Sequence, residues 1–279
     1  MGGEEDIYGF SEPEVPPPPR RLPPKFRPPE PQPMVSQVEP LPPPPRWPMF
    51  SGVFTFPWRL QTLGCWMGIS FGLIVTGYLF GVLFGPAARV GIMAVRAIFP
   101  AACAAQLLAL SYAAVCLLKV IEETSYGVDR VDCSVDMGWK EWSYSYAYLL
   151  FQIILAATVG YGLKLITFSD SWLPMIIGTF LALPIILLSS LAANAAWLPL
   201  SPAPVLRSFG PLWRQWGLFY IYTGGLYVAW ELLTLAGLRQ SPWLVPLYSG
   251  PMMAAAMLIY ARLLGRLAWL ISRLSEPDG

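Results

Sequence analysis

From residue 60 onward the chain alternates between long apolar runs and short polar or proline-rich breaks. The first run, Leu60 to Gly85, carries no charge after Arg59. At about 1.5 Å per residue it is long enough to cross the roughly 30 Å hydrocarbon core of a bilayer as a helix. A breaker, Gly85-Pro86-Ala87-Ala88-Arg89, leads to a second run that ends near Lys119. The third, from about Ser143 to Phe168, is separated from the fourth, Trp172 to Leu198, only by Ser169-Asp170-Ser171. So tight a connection forces an antiparallel helical hairpin. The fifth spans about Leu212 to Gly237, and the sixth follows Arg239-Gln240-Ser241-Pro242 and ends near Ile271. The pattern predicts an all-α integral membrane protein of six transmembrane helices arranged as three hairpins. Its expected parts are a disordered proline-rich tail over 1–48, an interfacial aromatic segment over 49–59, the helical domain over 60–272 and a short C-terminal tail over 273–279.

Glycines at 64, 68, 72, 77, 81 and 85 mark the first helix. Gly64, Gly68 and Gly72 share one face, and the five-residue step to Gly77 places Gly77, Gly81 and Gly85 on nearly the opposite one. Two readings stand: helix-packing surfaces for two neighbours, or the ordinary abundance of glycine in membrane helices. A threefold pattern also runs through the hairpins. Odd helices enter by aromatic-basic clusters, at Phe56-Pro57-Trp58-Arg59, Trp139 to Trp142 and Trp213 to Trp216, while even helices carry Pro100, Pro184 or Pro251 followed by small residues. A proline inside a helix costs a backbone hydrogen bond, and small residues after it admit a close neighbour.

Before the helices lies a tract that cannot build a core. Pro16 to Pro19, Pro23-Pro24, Pro28-Pro29 and Pro42 to Pro45 alternate with basic residues and glutamates, the composition of an extended polyproline spacer. Pro16-x-x-Pro19-x-Arg21 and Lys25-x-x-Pro28-x-x-Pro31 fit the ligand patterns of SH3 domains, so the tail reads either as a tether or as a docking arm for a protein partner. Between Arg46 and Arg59 the rings of Trp47, Phe50, Phe54, Phe56 and Trp58 sit between arginines. That composition suits either a headgroup-level anchor or a loop packed back on the protein.

Charge then orients the chain. Arg46, Arg59, Lys119, Arg130, Lys140, Arg207, Arg214, Arg262, Arg266 and Arg273 fall on the side of the N-terminus, against Arg89, Arg96, Lys164 and Arg239 on the other. The excess of basic residues predicts a cell (inner) membrane protein with both termini cytoplasmic, the lipid bilayer being its first partner. A net charge of +1 gives no reason to expect nucleic acid. Histidine is absent, which removes the commonest general base and metal ligand. The cysteines Cys65, Cys103, Cys116 and Cys133 show no CxxC spacing, so no disulfide framework, metal or cofactor is expected.

Polar residues within the apolar runs are few: Gln106, Gln152, Lys164, Asn194 and Glu231. Such residues mark either function or interhelical hydrogen bonding. Counting from the tryptophans at the helix entrances, Lys164 lies about 33 Å and Glu231 about 27 Å along its helix, a similar depth at which the two could pair between the third and fifth helices. After the second helix comes Glu122-Glu123-Thr124-Ser125-Tyr126-Gly127-Val128-Asp129-Arg130-Val131-Asp132. Its paired glutamates lack the arginine spacing and the histidines of glutamate-type intramembrane proteases, and its aspartates lack the alternation of a calcium loop. No nucleophile-base pair or phosphate-binding glycine loop accompanies it, so no enzyme is expected.

The proline-rich tail, the entry Phe54-Thr55-Phe56-Pro57-Trp58-Arg59 and the loop Glu123-Thr124-Ser125-x-Gly127-x-Asp129-x-Val131 together resemble uncharacterised multi-pass bacterial membrane proteins. Their helical cores are likened to the Yip1 membrane-trafficking family. The resemblance spans most of the chain and implies the helical topology without an activity. Two functions remain from the sequence: a non-enzymatic membrane platform or assembly scaffold, and a small-solute transporter whose proline-broken helices expose backbone to substrate.

Overall fold

The computed structural model describes residues 49–84, 92–128, 131, 138–168, 170–193, 197–198 and 202–275. The proline-rich stretch over 1–48, Gly85, Cys133 and Asn194 lie outside the described residues. The described residues form helices joined by turns, with no strand among them, and six helices are long and apolar enough to cross a membrane. They are α1 (Leu60–Phe84), α2 (Ile92–Ser125), α3 (Trp139–Ile166), α4 (Leu173–Ala192), α6 (Trp213–Gln240) and α7 (Val245–Ser275), with the short α5 (Ala203–Arg207) between α4 and α6. Single 3-10 turns precede α1 (Phe56–Trp58) and α7 (Pro242–Leu244).

Each sequential pair, α1 with α2, α3 with α4 and α6 with α7, packs as a hairpin. The element that joins them is α7, which also packs along both α1 and α2 and touches α4. Over the 18-residue apolar stretch of each helix, 61% of the residues are buried in α7, against 11% in α6. Leu258, Leu263, Leu264 and Leu267 of α7 are all sealed, as expected of a helix enclosed by others. The last apolar run is thus the axis of the fold, and α1 is one of its walls.

Pro251 interrupts the backbone ladder of α7, leaving the Leu247 carbonyl without its helical N–H donor. Two indoles reach this stretch from opposite helices: Trp66 of α1 donates to the Pro251 carbonyl at 3.0 Å, and Trp230 of α6 donates to the Ser249 carbonyl at 3.3 Å. Pro184 in α4 has a similar neighbour, the Tyr220 hydroxyl, which donates to the Leu181 carbonyl at 2.9 Å.

The glycines of α1 divide by position. A Cβ on Gly68 would strike the Tyr112 ring of α2, one on Gly72 would meet the Ala109 Cβ at 2.7 Å, and one on Gly77 would meet the Pro246 Cβ of α7 at 2.9 Å. The central glycines therefore face two helices. Gly64 and Gly81 have open space beside them, which corrects the expectation that the whole stripe is contact surface. Helical spacing fixes which glycines share a face, not which of them a neighbouring helix covers. Leucine at Gly68 or Gly77 is expected to cost about 1 to 3 kcal/mol of stability in detergent, while leucine at Gly64 or Gly81 should leave melting unchanged. A melting curve for each variant checks the contrast.

Several helix ends differ from the sequence boundaries, α2 among them, which runs past Lys119 to Ser125. The apolar run to Leu198 outlasts α4, whose last residue is Ala192. Trp197, which lies outside any helix, stands edge-on to Tyr144 and Phe151 of α3, with centroids 5.6 Å from each. At the C-terminus α7 runs to Ser275 rather than ending near Ile271.

Candidate functional site

Arg262 and Arg266, one helical turn apart on α7, are 0% and 5% exposed. A guanidinium cannot be enclosed cheaply without hydrogen-bond acceptors, so its surroundings must supply them. Arg262 donates to the Thr124 hydroxyl at 3.1 Å and to the Val128 carbonyl at 3.2 Å, and its guanidinium carbon lies 4.8 Å from the centroid of the Phe56 ring. Arg266 donates to the Ser51 hydroxyl at 3.4 Å. One pair of side chains thus ties the last helix to the end of α2 and to the segment that leads into α1.

The acceptors are in place because of how α2 stops. Gly127 adopts φ +79°, the left-handed conformation that glycine enters most readily. The Gly127 N–H bonds to the Thr124 carbonyl at 3.0 Å and the Val128 N–H to the Glu123 carbonyl at 3.2 Å, the two bonds of a Schellman cap. The cap turns the Val128 carbonyl toward α7, next to Thr124 in the final helical turn. Between the two arginines, a Cβ on Gly265 would meet the Ile121 carbonyl and the Thr124 Cβ, each at 2.7 Å, so α2 and α7 touch backbone to backbone here. Only a residue without a side chain lets Arg262 reach Thr124.

From the other side comes the segment 49–59. Met49, Val53 and Phe56 are buried at helical spacing, while Phe50, Phe54 and Trp58 remain largely exposed. Phe50 and Phe54 stand edge-on to Tyr222 of α6, at 5.1 and 5.7 Å, and Trp58 tilts against Trp66. The segment is therefore packed back on the protein along one edge and carries aromatic rings outward along the other. Thr62 fixes its exit by donating to the Phe56 and Arg59 carbonyls. The two motifs singled out in the sequence, around Phe54 to Arg59 and around Glu123 to Val131, meet at Arg262. The signal for that arginine was present as Arg262-x-x-Gly265-Arg266 inside an otherwise apolar run, although its only use in the sequence was as evidence of sidedness.

A second polar group lies between α3 and the end of α4. The Tyr148 and Ser190 hydroxyls are 2.7 Å apart, and Gln152, fully buried, donates from Nε2 to Ser190 Oγ at 3.3 Å and to the Trp197 carbonyl at 3.0 Å. These bonds satisfy backbone and hydroxyl groups where α4 unwinds, a structural duty. Gln106 is half-buried on α2 and makes no side-chain hydrogen bond among the described residues.

The pairing of Lys164 with Glu231 is not formed. Lys164 Nζ sits 3.8 Å from the centroid of the Trp172 ring across the α3–α4 turn, and Glu231 Oε1 accepts from the Tyr227 hydroxyl at 3.0 Å one turn back on α6. Similar depth did not bring them together, because α3 packs on α4 and α2 whereas α6 packs on α7. Lys164→Met and Glu231→Gln should therefore act additively on detergent stability; a coupling above about 0.5 kcal/mol in the double-mutant cycle would contradict this placement.

Among the described residues no group of three or more His, Cys, Asp or Glu side chains is placed to hold a metal ion. What the arginine cluster can do is mechanical: it fixes the segment 49–59 to α7 and the end of α2 through charged hydrogen bonds and a stacked ring. The chain matches no protein-family model, no curated protein and no solved structure.

Proposed function

We propose that this multi-pass membrane protein is a non-enzymatic platform of the cytoplasmic membrane, both termini inside, that holds a proline-rich arm at a fixed place on the membrane and recruits a protein partner with it. The observation that carries the reading is the burial of the arm's root: Val53 and Phe56 are fully enclosed and Phe56 lies against Arg262. A simple tether needs no such seat, whereas a docking arm that positions its partner does. The resemblance to the Yip1-like group is part of the same proposal. Against transport, the stretches around Pro184 and Pro251, where a carrier would present backbone to its substrate, are met by Tyr220, Trp66 and Trp230.

Affinity purification in mild detergent, with and without residues 1–48, tests the platform. A partner retained by the full chain and lost on truncation, at unchanged melting temperature, supports it. A partner-free protein whose melting point rises with a small solute would favour transport instead. Orientation is tested through Cys133, because Cys65 and Cys116 are buried. A membrane-impermeant maleimide should label Cys133 only after cells are opened, and labelling in intact cells reverses the orientation.

A further inference from the structure

The loop between α4 and α6 is an amphipathic turn with a basic flank. Hydrogen bonds from Ser208 N to the Pro204 carbonyl, Leu212 N to Ser208 and Trp216 N to Leu212 carry helical turns from α5 into α6. Burial follows the same period, at Val205, Ser208, Leu212 and Trp216. The Trp216 indole donates to the Ser208 hydroxyl at 3.1 Å, and Phe209 stacks on Trp216 at 4.2 Å, which holds the loop against the first turn of α6.

The outward side repeats every seven residues, two helical turns. Leu206 and Trp213 are 50% and 65% exposed, and each is followed by an exposed arginine, Arg207 and Arg214. Neither arginine has an ion pair or hydrogen bond among the described residues, although Arg214 lies 5.3 Å from the Trp213 ring. No acidic residue occurs anywhere from 171 to 230, nor in the neighbouring segment 49–59. The flank therefore presents two uncompensated cations, each beside an apolar side chain.

We infer that Leu206, Arg207, Trp213 and Arg214 form a binding site for the headgroup of an anionic phospholipid in the leaflet bordering this end of the bundle. The guanidinium groups meet the negative headgroup, while the leucine and the indole enter the adjoining acyl boundary, where tryptophan is favoured. A free phosphate ion would use the arginines and leave the two apolar side chains in water, which is why a lipid is the better occupant. Each cation near an anionic surface strengthens binding, and two together give about a tenfold to thirtyfold preference over a zwitterionic lipid.

The test uses the full-length protein in mild detergent, with energy transfer from tryptophan to dansyl-labelled phosphatidylglycerol or phosphatidylcholine. Phosphatidylglycerol should bind at least about tenfold more tightly. Arg207→Gln with Arg214→Gln should bring the two lipids within about twofold, and the double lysine variant should keep the preference. Equal affinities in the native protein, or an unchanged preference in the glutamine variant, would overturn the site. Displacement of the lipid by millimolar inorganic phosphate would show a phosphate site and not a lipid one. A lower melting temperature of the lipid-free glutamine variant would show that the arginines hold the fold, which also overturns the inference.

Discussion

Arg262→Met is expected to lower the stability of the bundle by about 2 to 4 kcal/mol, because two buried acceptors lose the donor that serves them. Methionine fills much of the volume but accepts and donates nothing, so the Thr124 hydroxyl and the Val128 carbonyl lose the donor that Arg262 supplied. The Phe56 ring loses its cation as well. In mild detergent the apparent melting temperature should fall by on the order of 10 °C. The segment 49–59 should become the first site of limited proteolysis, because its seat on α7 has gone. Thr124→Val alone should cost about 1 to 2 kcal/mol, and the double variant should cost less than the sum of the two, since both changes remove one shared bond. Gly265→Ala provides an independent check. It leaves the arginine in place but forces α2 off α7 at Ile121 and Thr124, so it should reproduce the proteolytic opening. Full protection of 49–59 in both variants would mean that the arginine is not what holds the segment.

Gly178→Leu should have the next largest effect. Its Cβ would lie 2.7 Å from the Gly160 Cα and against the Leu163 side chain, and a Cβ on Gly160 would strike the Met175 carbonyl and Thr179. Here the backbones of α3 and α4 meet without a side chain between them, and neither can yield as a flexible side chain would. A loss of about 3 kcal/mol or somewhat less is expected from overpacking such a site, and alanine should already cost part of it. The damage should stay local, because the α3–α4 hairpin joins the rest mainly through α2 and α3, with a small contact between α4 and α7. Hydrogen exchange would register this as faster exchange in α3 and α4 and slow exchange preserved in α7. A uniform rise across all helices would show that the hairpin and the α7 core unfold as one unit.

These two sites also show what kind of residue was readable in advance. Gly64 and Gly81 stood out because they belong to a regular series, yet open space surrounds them, while Gly160 and Gly178 belong to no series and touch. A spacing pattern reports which residues share a face. It carries no information on whether another helix lies over that face.

Helix number, the hairpin order and the approximate length of each span followed from the sequence alone, because a bilayer obliges each crossing segment to satisfy its own backbone and to be apolar over a fixed thickness. The end of α2 was not placed that way: the apolar run stops near Lys119, yet the helix continues to Ser125, where Gly127 enters the left-handed region. Which helix lies at the centre was decided only by tertiary packing: apolar side chains look the same in sequence whether they stay exposed, as Ile221 and Leu232 of α6 do, or are buried, as Leu263 and Leu264 of α7 are. The partners of charged residues were decided there too. Depth could place Lys164 beside Glu231, but neighbour relations gave Lys164 to Trp172 and Glu231 to Tyr227. Arg262 found Thr124 and Phe56, residues 138 and 206 positions away in the chain, because α7 is enclosed by α1 and α2 and a buried guanidinium must take the acceptors that this enclosure brings within reach.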